Sequence, residues 1–343
     1  MNACLYVGLD VHKKSISWCA KRQDGKVFGE GSVKATRQCL TEWVSTFNEP
    51  WIGALEATIF SGWIYDFLKP HAEALKVAHP LMLKAIAASK KKNDRIDASR
   101  IADCLRADLL PECYMAPSEI REMRRELRFR NLLVGQAVKM KNKISGVLME
   151  VGADYSKEKL HGKKYFNELL GSLDSAVAPE SVKRMLRVSR GHLDLFTTGQ
   201  KSLIRSLQAD ARLHERVMRL QTIPGVGEVL ALTWALEVGE SGRFAALANA
   251  QSYCGLTSAQ SESGGVSKRM PISKQRNKHL QKMLIEAAKI APQWNSQLRA
   301  LHERELKKGN RNRATLAVAR KLVAYLLSVD KSGKDFEVRE MID

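Results

Sequence analysis

The chain has no Cys-x-x-Cys pair. Its six cysteines, Cys4, Cys19, Cys39, Cys104, Cys113 and Cys254, are scattered over 343 residues. That spacing suggests neither a zinc site nor a disulfide framework, so reduced thiols of a cytosolic protein are expected. No apolar run approaches the roughly 20 residues that a membrane-spanning helix needs. The opening residues MNACLYVGLD lack the basic and apolar regions of a secretory signal, so a cytoplasmic location with no membrane partner is expected. Aromatic residues make up only 6% of a chain that is 44% hydrophobic, a composition that suits soluble globular domains and argues against wholesale disorder. Acids are also in short supply: 37 Asp and Glu stand against 56 Lys and Arg, for a formal net charge of +19. Such an excess suits a polyanion, because every phosphate neutralised releases counterions. Nucleic acid is the favoured partner, although a ribosomal or membrane surface carries the same sign of charge.

What is present divides into three stretches. Residues 1–112 alternate short apolar runs with helical spacing. CLYVGLD, SISWCAK, KVFGEGSV, WIGALEA and ALKVAHP read as strands, while ATRQCLTEWVSTFNE, SGWIYDFLKPH and DRIDASRIADCLRAD read as helices. Strands interleaved with helices make an α/β domain. Residues 113–220 turn almost wholly helical, first through SEIREMRRELRFRNLLVGQAVKMKNKISGVLMEV and then through SLIRSLQADARLHERVMRL. The two segments are expected to pair as an antiparallel arm or coiled coil. Residues 221–343 form an all-α carboxyl-terminal part that opens on IPGVGEV, a turn similar to that of helix-hairpin-helix modules. There Gly225 and Gly227 leave backbone N–H groups free to receive a phosphate oxygen.

The basic residues cluster. Arg121, Arg124, Arg125 and Arg128 lie on the first arm helix, followed by Arg130, Lys139, Lys141 and Lys143. Acids are too sparse there for mutual pairing, which favours a helix facing phosphates over a merely solvated one. Lys90, Lys91 and Lys92 form a second basic run, and Lys268, Arg269 and Lys274 a third.

Four carboxylates carry the candidate chemistry. Asp10 and Glu56 end predicted strands, where an open sheet presents ligands at its carboxyl edge. Asp94 and Asp97 stand three apart at the start of a predicted helix, on one face and one turn apart. Singly, each has an ordinary structural explanation, Asp94 as a helix cap among them. Together they point to an RNase H-like nuclease core, since four converging carboxylates repel unless a divalent cation sits among them. Oxygen ligands suit Mg²⁺ or Mn²⁺, and two such ions about 4 Å apart clamp the attacking and leaving oxygens of a phosphodiester.

YVGLDVHK, ALEAT, KKNDRIDASRIA, IPGVGEVLA, YCGLTSAQSESGG and NRATLAVARKLVAYLL follow one another in this order. In that ordered set the chain resembles the DEDD insertion-sequence transposases of the one-hundred-ten group and its eleven-eleven branch, which also take in the Piv-type DNA invertases. The resemblance covers nearly the whole chain. It implies a RuvC-like domain whose metal-binding carboxylates map onto Asp10, Glu56, Asp94 and Asp97, and a transposase domain whose catalytic serine maps onto Ser263 after Glu262. It further implies strand joining through a covalent phosphoserine link, guidance by a structured bridge RNA, and protomers held together by the helical arm as a dimer or tetramer.

Ser263 on its own reads either as part of a flexible Ser-Gly linker or as a nucleophile, with Ser261 and Ser267 competing for the second role; the resemblance favours Ser263. Gly264 and Gly265 would allow close backbone approach to DNA, and Lys268, Arg269 and Lys274 would offset charge on a pentavalent phosphorus. Three other functions compete with this one. One is a RuvC-like junction nuclease that uses water, or an invertase without a guide. Another is a non-catalytic RNA chaperone. YVGLDVHKKSISW also looks like the first phosphate strand of actin-like sugar kinases, but no second phosphate loop or adenosine motif follows it.

Overall fold

The computed structural model describes residues 4–86, 93–263, 266–272 and 274–337, with the backbone course alone for 259–263 and 266–271. Lys90, Lys91, Lys92, Gly264 and Gly265 lie outside the described residues. The chain forms two compact units, Met1–Ser118 and Glu119–Asp343.

The first unit is built on a five-stranded sheet. Strands β1 (Leu5–Val11), β2 (Ser15–Lys21) and β3 (Val27–Lys34) form an antiparallel meander; β4 (Trp51–Glu56) and β5 (Ala74–Ala78) add in parallel on the other side of β1. The order is β3-β2-β1-β4-β5. All five are the strands expected from the apolar runs, and each face of the sheet follows from the two-residue period. Leu5, Val7, Leu9 and Val11 of β1 join Trp51 and Leu55 of β4 in a core with Leu40 and Trp43 of α1 (Arg37–Val44) and Ile64 and Leu68 of α2 (Ser61–Leu68). The alternate residues face the other way. There Tyr6, Ile52 and Ala54 pack with Leu83 of α3 (Pro80–Ile86) and with Ile101, Cys104 and Leu105 of α4 (Asp94–Arg106).

Helix α4 lies directly on β1, and glycine is the reason it can. A methyl group at Gly8 would sit 2.1 Å from the Ala98 carbonyl oxygen and 2.4 Å from the Ala102 nitrogen, far inside van der Waals contact. The buried Lys21 ammonium, 2.6 Å from Asp103 of α4, ties the helix to β2 as well.

The second unit is helical apart from one hairpin. Helix α5 (Ser118–Glu150) is followed by α6 (Lys163–Ser172), α7 (Glu180–Gln208), α8 (Ala211–Gln221) and α9 (Glu228–Val238). The expected second arm helix is therefore two: α7 begins well before Ser202, and the chain breaks after Gln208, where the Asp210 side chain caps α8 by accepting from the Arg212 N–H. Two apolar clusters divide this unit. Ala137, Ile144, Val147 and Leu148 of α5 pack with Phe166 of α6 and with Leu186 and Leu193 of α7. Met123 and Leu127 at the start of α5 and Leu207 at the end of α7 belong instead to the larger core of α8 and α9, which continues through α10 (Leu247–Tyr253), α11 (Lys278–Ile290), α12 (Ser296–Lys307) and α13 (Arg311–Ser332). Strands β6 (Ser258–Ser263) and β7 (Val266–Ile272) form a separate two-stranded sheet between α10 and α11.

Candidate functional site

Period two in β1 and β4 sends Asp10 and Glu56 to the face on which α4 packs. The last register pair of these parallel strands is Leu9 with Leu55, so Asp10 and Glu56 stand side by side one residue further on, at the carboxyl edge. Glu56 is steadied by its own turn: the Ser61 hydroxyl donates to the Glu56 carbonyl at 2.7 Å and accepts the Thr58 N–H at 2.6 Å. Helix α4 runs opposite to β1 and so brings its amino-terminal turn, with Asp94 and Asp97, toward the same edge.

Asn93, not Asp94, caps this helix. Its side chain accepts the Arg95 N–H at 3.0 Å, and its carbonyl accepts the Asp97 N–H at 2.9 Å. The Asp94 carboxylate is thereby left for other partners, and it faces a residue that the sequence reading passed over. His12 Nε2 lies 3.2 Å from Asp10 Oδ2 and 3.5 Å from Asp94 Oδ2. One ligand atom from each of Asp10, His12 and Asp94 fits within 4.8 Å of the others. Burial pushes the Asp10 carboxyl above its usual range; His12 opposes that rise, while the negative charges of Asp94 and Asp97 add to it. A carboxylate ringed in this way gains from a cation, and the oxygen-rich donor set with one imidazole suits a divalent ion. Of the expected acids, Asp10 and Asp94 meet in the described cluster. Asp97 is close enough for its charge to act on Asp10, and Glu56 adjoins on the neighbouring strand.

The arm arginines do not form one exposed stripe. Arg128 forks onto Glu237 of α9, with Nε and Nη2 each 2.7 Å from a carboxylate oxygen, and Arg124 Nε donates to the Leu236 carbonyl at 2.9 Å. Glu237 is fully buried. Burial by itself would raise its pKa, but the Arg128 fork, the Asn277 amide at 2.8 Å and the Arg124 charge hold it below the usual carboxylate range. These two arginines thus brace the fold, although the Arg128 side chain is still 44% exposed. Arg125 is exposed and lies 3.8 Å from Glu122; Lys139, Lys141 and Lys143 are exposed as well.

Ser263 is the last residue of β6 and pairs in register with Val266, so SAQSES and VSKRMPI are paired antiparallel strands and not a structureless linker. Ser261 pairs with Lys268 and Gln260 with Arg269. Lys274 is exposed in the bend that follows. The hairpin returns to the helical core at Asn277, which caps α11 by accepting the His279 and Leu280 N–H groups while donating to Glu237. Gly225 takes φ of +91°, a conformation that favours glycine. A methyl there would also lie 2.7 Å from the Ala291 side chain, so close packing alone accounts for this glycine. Gly227 is the N-cap of α9 and has open space around it.

Two family matches span most of the chain. Residues 7–153 match the DEDD transposase family of IS110, described as "Transposase", and residues 217–303 match the "Transposase IS116/IS110/IS902 family". Among curated proteins, the chain is 23% identical over 334 residues to the transposase for insertion sequence element IS1328 of Yersinia enterocolitica, covering 96% of this chain and 98% of that one. It is 27% identical over 329 residues to the transposase for insertion sequence element IS1111A of Coxiella burnetii, covering 92% and 86%. A probable family 20 transposase of Pseudomonas aeruginosa is 22% identical over 240 residues, covering 70% and 71%. No helix among the described residues is long and apolar enough to cross a membrane.

Proposed function

The chain belongs to the IS110 family of DEDD insertion-sequence transposases, and from that membership we propose that it breaks and rejoins DNA through a phosphoserine intermediate. One observation carries the reading: Asp10, His12 and Asp94 converge at the carboxyl edge of the sheet, with Glu56 and Asp97 beside them. The sheet order, with its antiparallel meander on one side of β1 and parallel strands on the other, supports an RNase H-like, RuvC-type reading of residues 1–112. Residues 113–220 would then act as the arm, and 221–343 as the part that delivers the serine.

Asp10, Glu56, Asp94 and Asp97, joined by His12, would hold Mg²⁺ or Mn²⁺. A bound divalent cation supplies positive charge against the scissile phosphate. The protein's own contribution is positional. Gly8 lets α4 reach β1, Asn93 takes over the cap so that Asp94 is available, and the Ser61 hydroxyl fixes the end of β4. In the transfer step the Ser263 oxygen bonds to phosphorus while the bond from phosphorus to the leaving deoxyribose oxygen breaks. The hydroxyl proton passes to a base, and the leaving oxygen takes up a proton. Rejoining is the reverse attack by a DNA hydroxyl, which conserves bond energy and needs no ATP. Lys268, Arg269 and Lys274 would offset charge on the phosphate, and Lys90, Lys91 and Lys92 would hold the strand near the acids.

A structured guide RNA fits the exposed part of the α5 charge, Arg125 with Lys139, Lys141 and Lys143, beside the half-buried Arg121. Self-association fits α7, where Met185, Val188 and Leu195 are exposed at near-heptad spacing. The test is incubation with labelled insertion-end DNA, target DNA, Mg²⁺ and RNA transcribed from the flanking sequence, read on a denaturing protein gel. A labelled band at the protein's mass that disappears in Ser263→Ala and in Asp10→Asn is expected. Released fragments without labelled protein would instead assign a nuclease that uses water.

A further inference from the structure

Six tryptophans are present in the chain, and five of them, Trp18, Trp43, Trp51, Trp63 and Trp234, are buried or half-buried. Trp294 is 69% exposed. Leaving this much aromatic surface in water forgoes burial worth roughly 2–3 kcal/mol for a large side chain. A mobile tail would explain such exposure, but Trp294 is mounted on a rigid turn. Its N–H donates to the Ala291 carbonyl at 3.0 Å, and the next residue, Asn295, is buried and caps α12 through the Leu298 N–H at 3.0 Å. From α12, Arg299 reaches back to the Pro292 and Gln293 carbonyls, both at 3.1 Å. These bonds brace the turn from both sides and place a guanidinium beside it.

The surroundings point to the partner's chemistry. Helix α11 leads into this turn with Lys278, Lys282 and Lys289 exposed at spacings of four and seven, which puts them on one helix face. Glu286 on the same side neutralises Lys289 at 2.8 Å, so the stripe keeps a positive balance. On the other flank, Ala291 packs against Gly225, so the Gly225–Gly227 turn, with its backbone N–H groups, adjoins the tryptophan's mount. Exposed lysines on a helix that leads to an exposed aromatic ring are the two elements with which proteins grip a single strand of nucleic acid: the charges follow the phosphates and the ring stacks on a base. Paired bases in a duplex offer no free face to such a ring.

We infer that Trp294 is a base-stacking platform for an unpaired DNA strand whose phosphates run along Lys278 and Lys282. This rests on the chain's action on DNA and adds to it a preference for opened strands. The experiment is a binding titration of the full chain in EDTA with a labelled thymidine oligonucleotide of about 20 nucleotides, its duplex and its RNA counterpart. Cleavage is absent under these conditions, so the result stands apart from the Ser263 adduct assay. Base–aromatic stacking predicts that Trp294→Ala weakens single-stranded DNA binding about 5- to 100-fold and duplex binding less than about 3-fold. Trp294→Phe is expected to recover most of the loss, and the melting temperature of both variants to stay at the parent value. Replacing Lys278 and Lys282 by Ala should make the salt dependence shallower by about 0.7 in log–log slope for each lysine. Equal losses on single strand and duplex, no loss on either, or a loss confined to RNA would each overturn the assignment.

Discussion

Glu237 shows how a single side chain sets the environment of three elements. It is fully buried in α9 and joined to Arg128 and Arg124 of α5 and to Asn277 at the foot of the β6–β7 hairpin. Removing one member of a buried pair costs about 3–5 kcal/mol. Because the Arg128 side chain is 44% exposed, solvent screens part of that loss, and about 2–3 kcal/mol is expected for Glu237→Ala, measurable by urea unfolding. The Glu237 carboxyl is held below its ordinary range in the fold, so its stabilisation is present above the unfolded pKa of about 4.3 and is lost as pH falls through the folded value. Glu237→Gln should therefore lower stability at neutral pH and flatten the acid limb of the pH–stability curve. None of this was legible in the sequence, where Arg128 and Glu237 are 109 residues apart and the arginine looked unpaired. The four acids were legible, because strand ends and an i, i+3 pair are local signals. His12 had a signal too: it follows Asp10 by two residues, just past the end of β1, which turns it to the same side. His12→Ala is expected to weaken Mn²⁺ binding about 10- to 100-fold, read by calorimetric titration.

The pairing of α4 with β1 converts separate acids into a site. Its seam is Gly8 against Ala98 and Ala102, and filling it with Gly8→Ala is an overpacking change expected to cost about 1–3 kcal/mol. It should also weaken Mn²⁺ binding, because Asp94 and Asp97 travel with the helix; unchanged affinity would separate the helix position from the site. Strands β1, β4 and β5 were readable because their sequences run apolar almost throughout, whereas β3 is largely exposed and carries the weakest signal. The hairpin carrying Ser263 was not readable, since SAQSESGG lacks the apolar alternation that marks a half-buried strand. The break between α7 and α8 was missed for a different reason. SLIRSLQADARLHERVMRL keeps helical spacing through Asp210, and only the cap bonds of that residue reveal a new start.

As a whole, the chain carries a formal charge of +19, which predicts DNA binding that weakens steeply and linearly in log–log terms with added salt. Self-association through α7 predicts that Leu195→Glu shifts the protein toward a smaller species in sedimentation without lowering its melting temperature, because Leu195 is exposed in the single chain. The two-unit division and the three regions named from the sequence describe different things: the arm helices α5 and α7 start or end inside the large carboxyl-terminal core and belong to it by packing. Helices α5 and α7 each thread two separate apolar clusters, one shared with α6 and the other with α8 to α13. Cooperativity is a property of shared side-chain contacts, and the two clusters have no buried side chain in common, with Leu133 packed against Gly199 on the helices between them. Calorimetry should therefore record a van't Hoff enthalpy smaller than the calorimetric one, with the α6 end of the arm melting as its own unit before the core that holds Trp234.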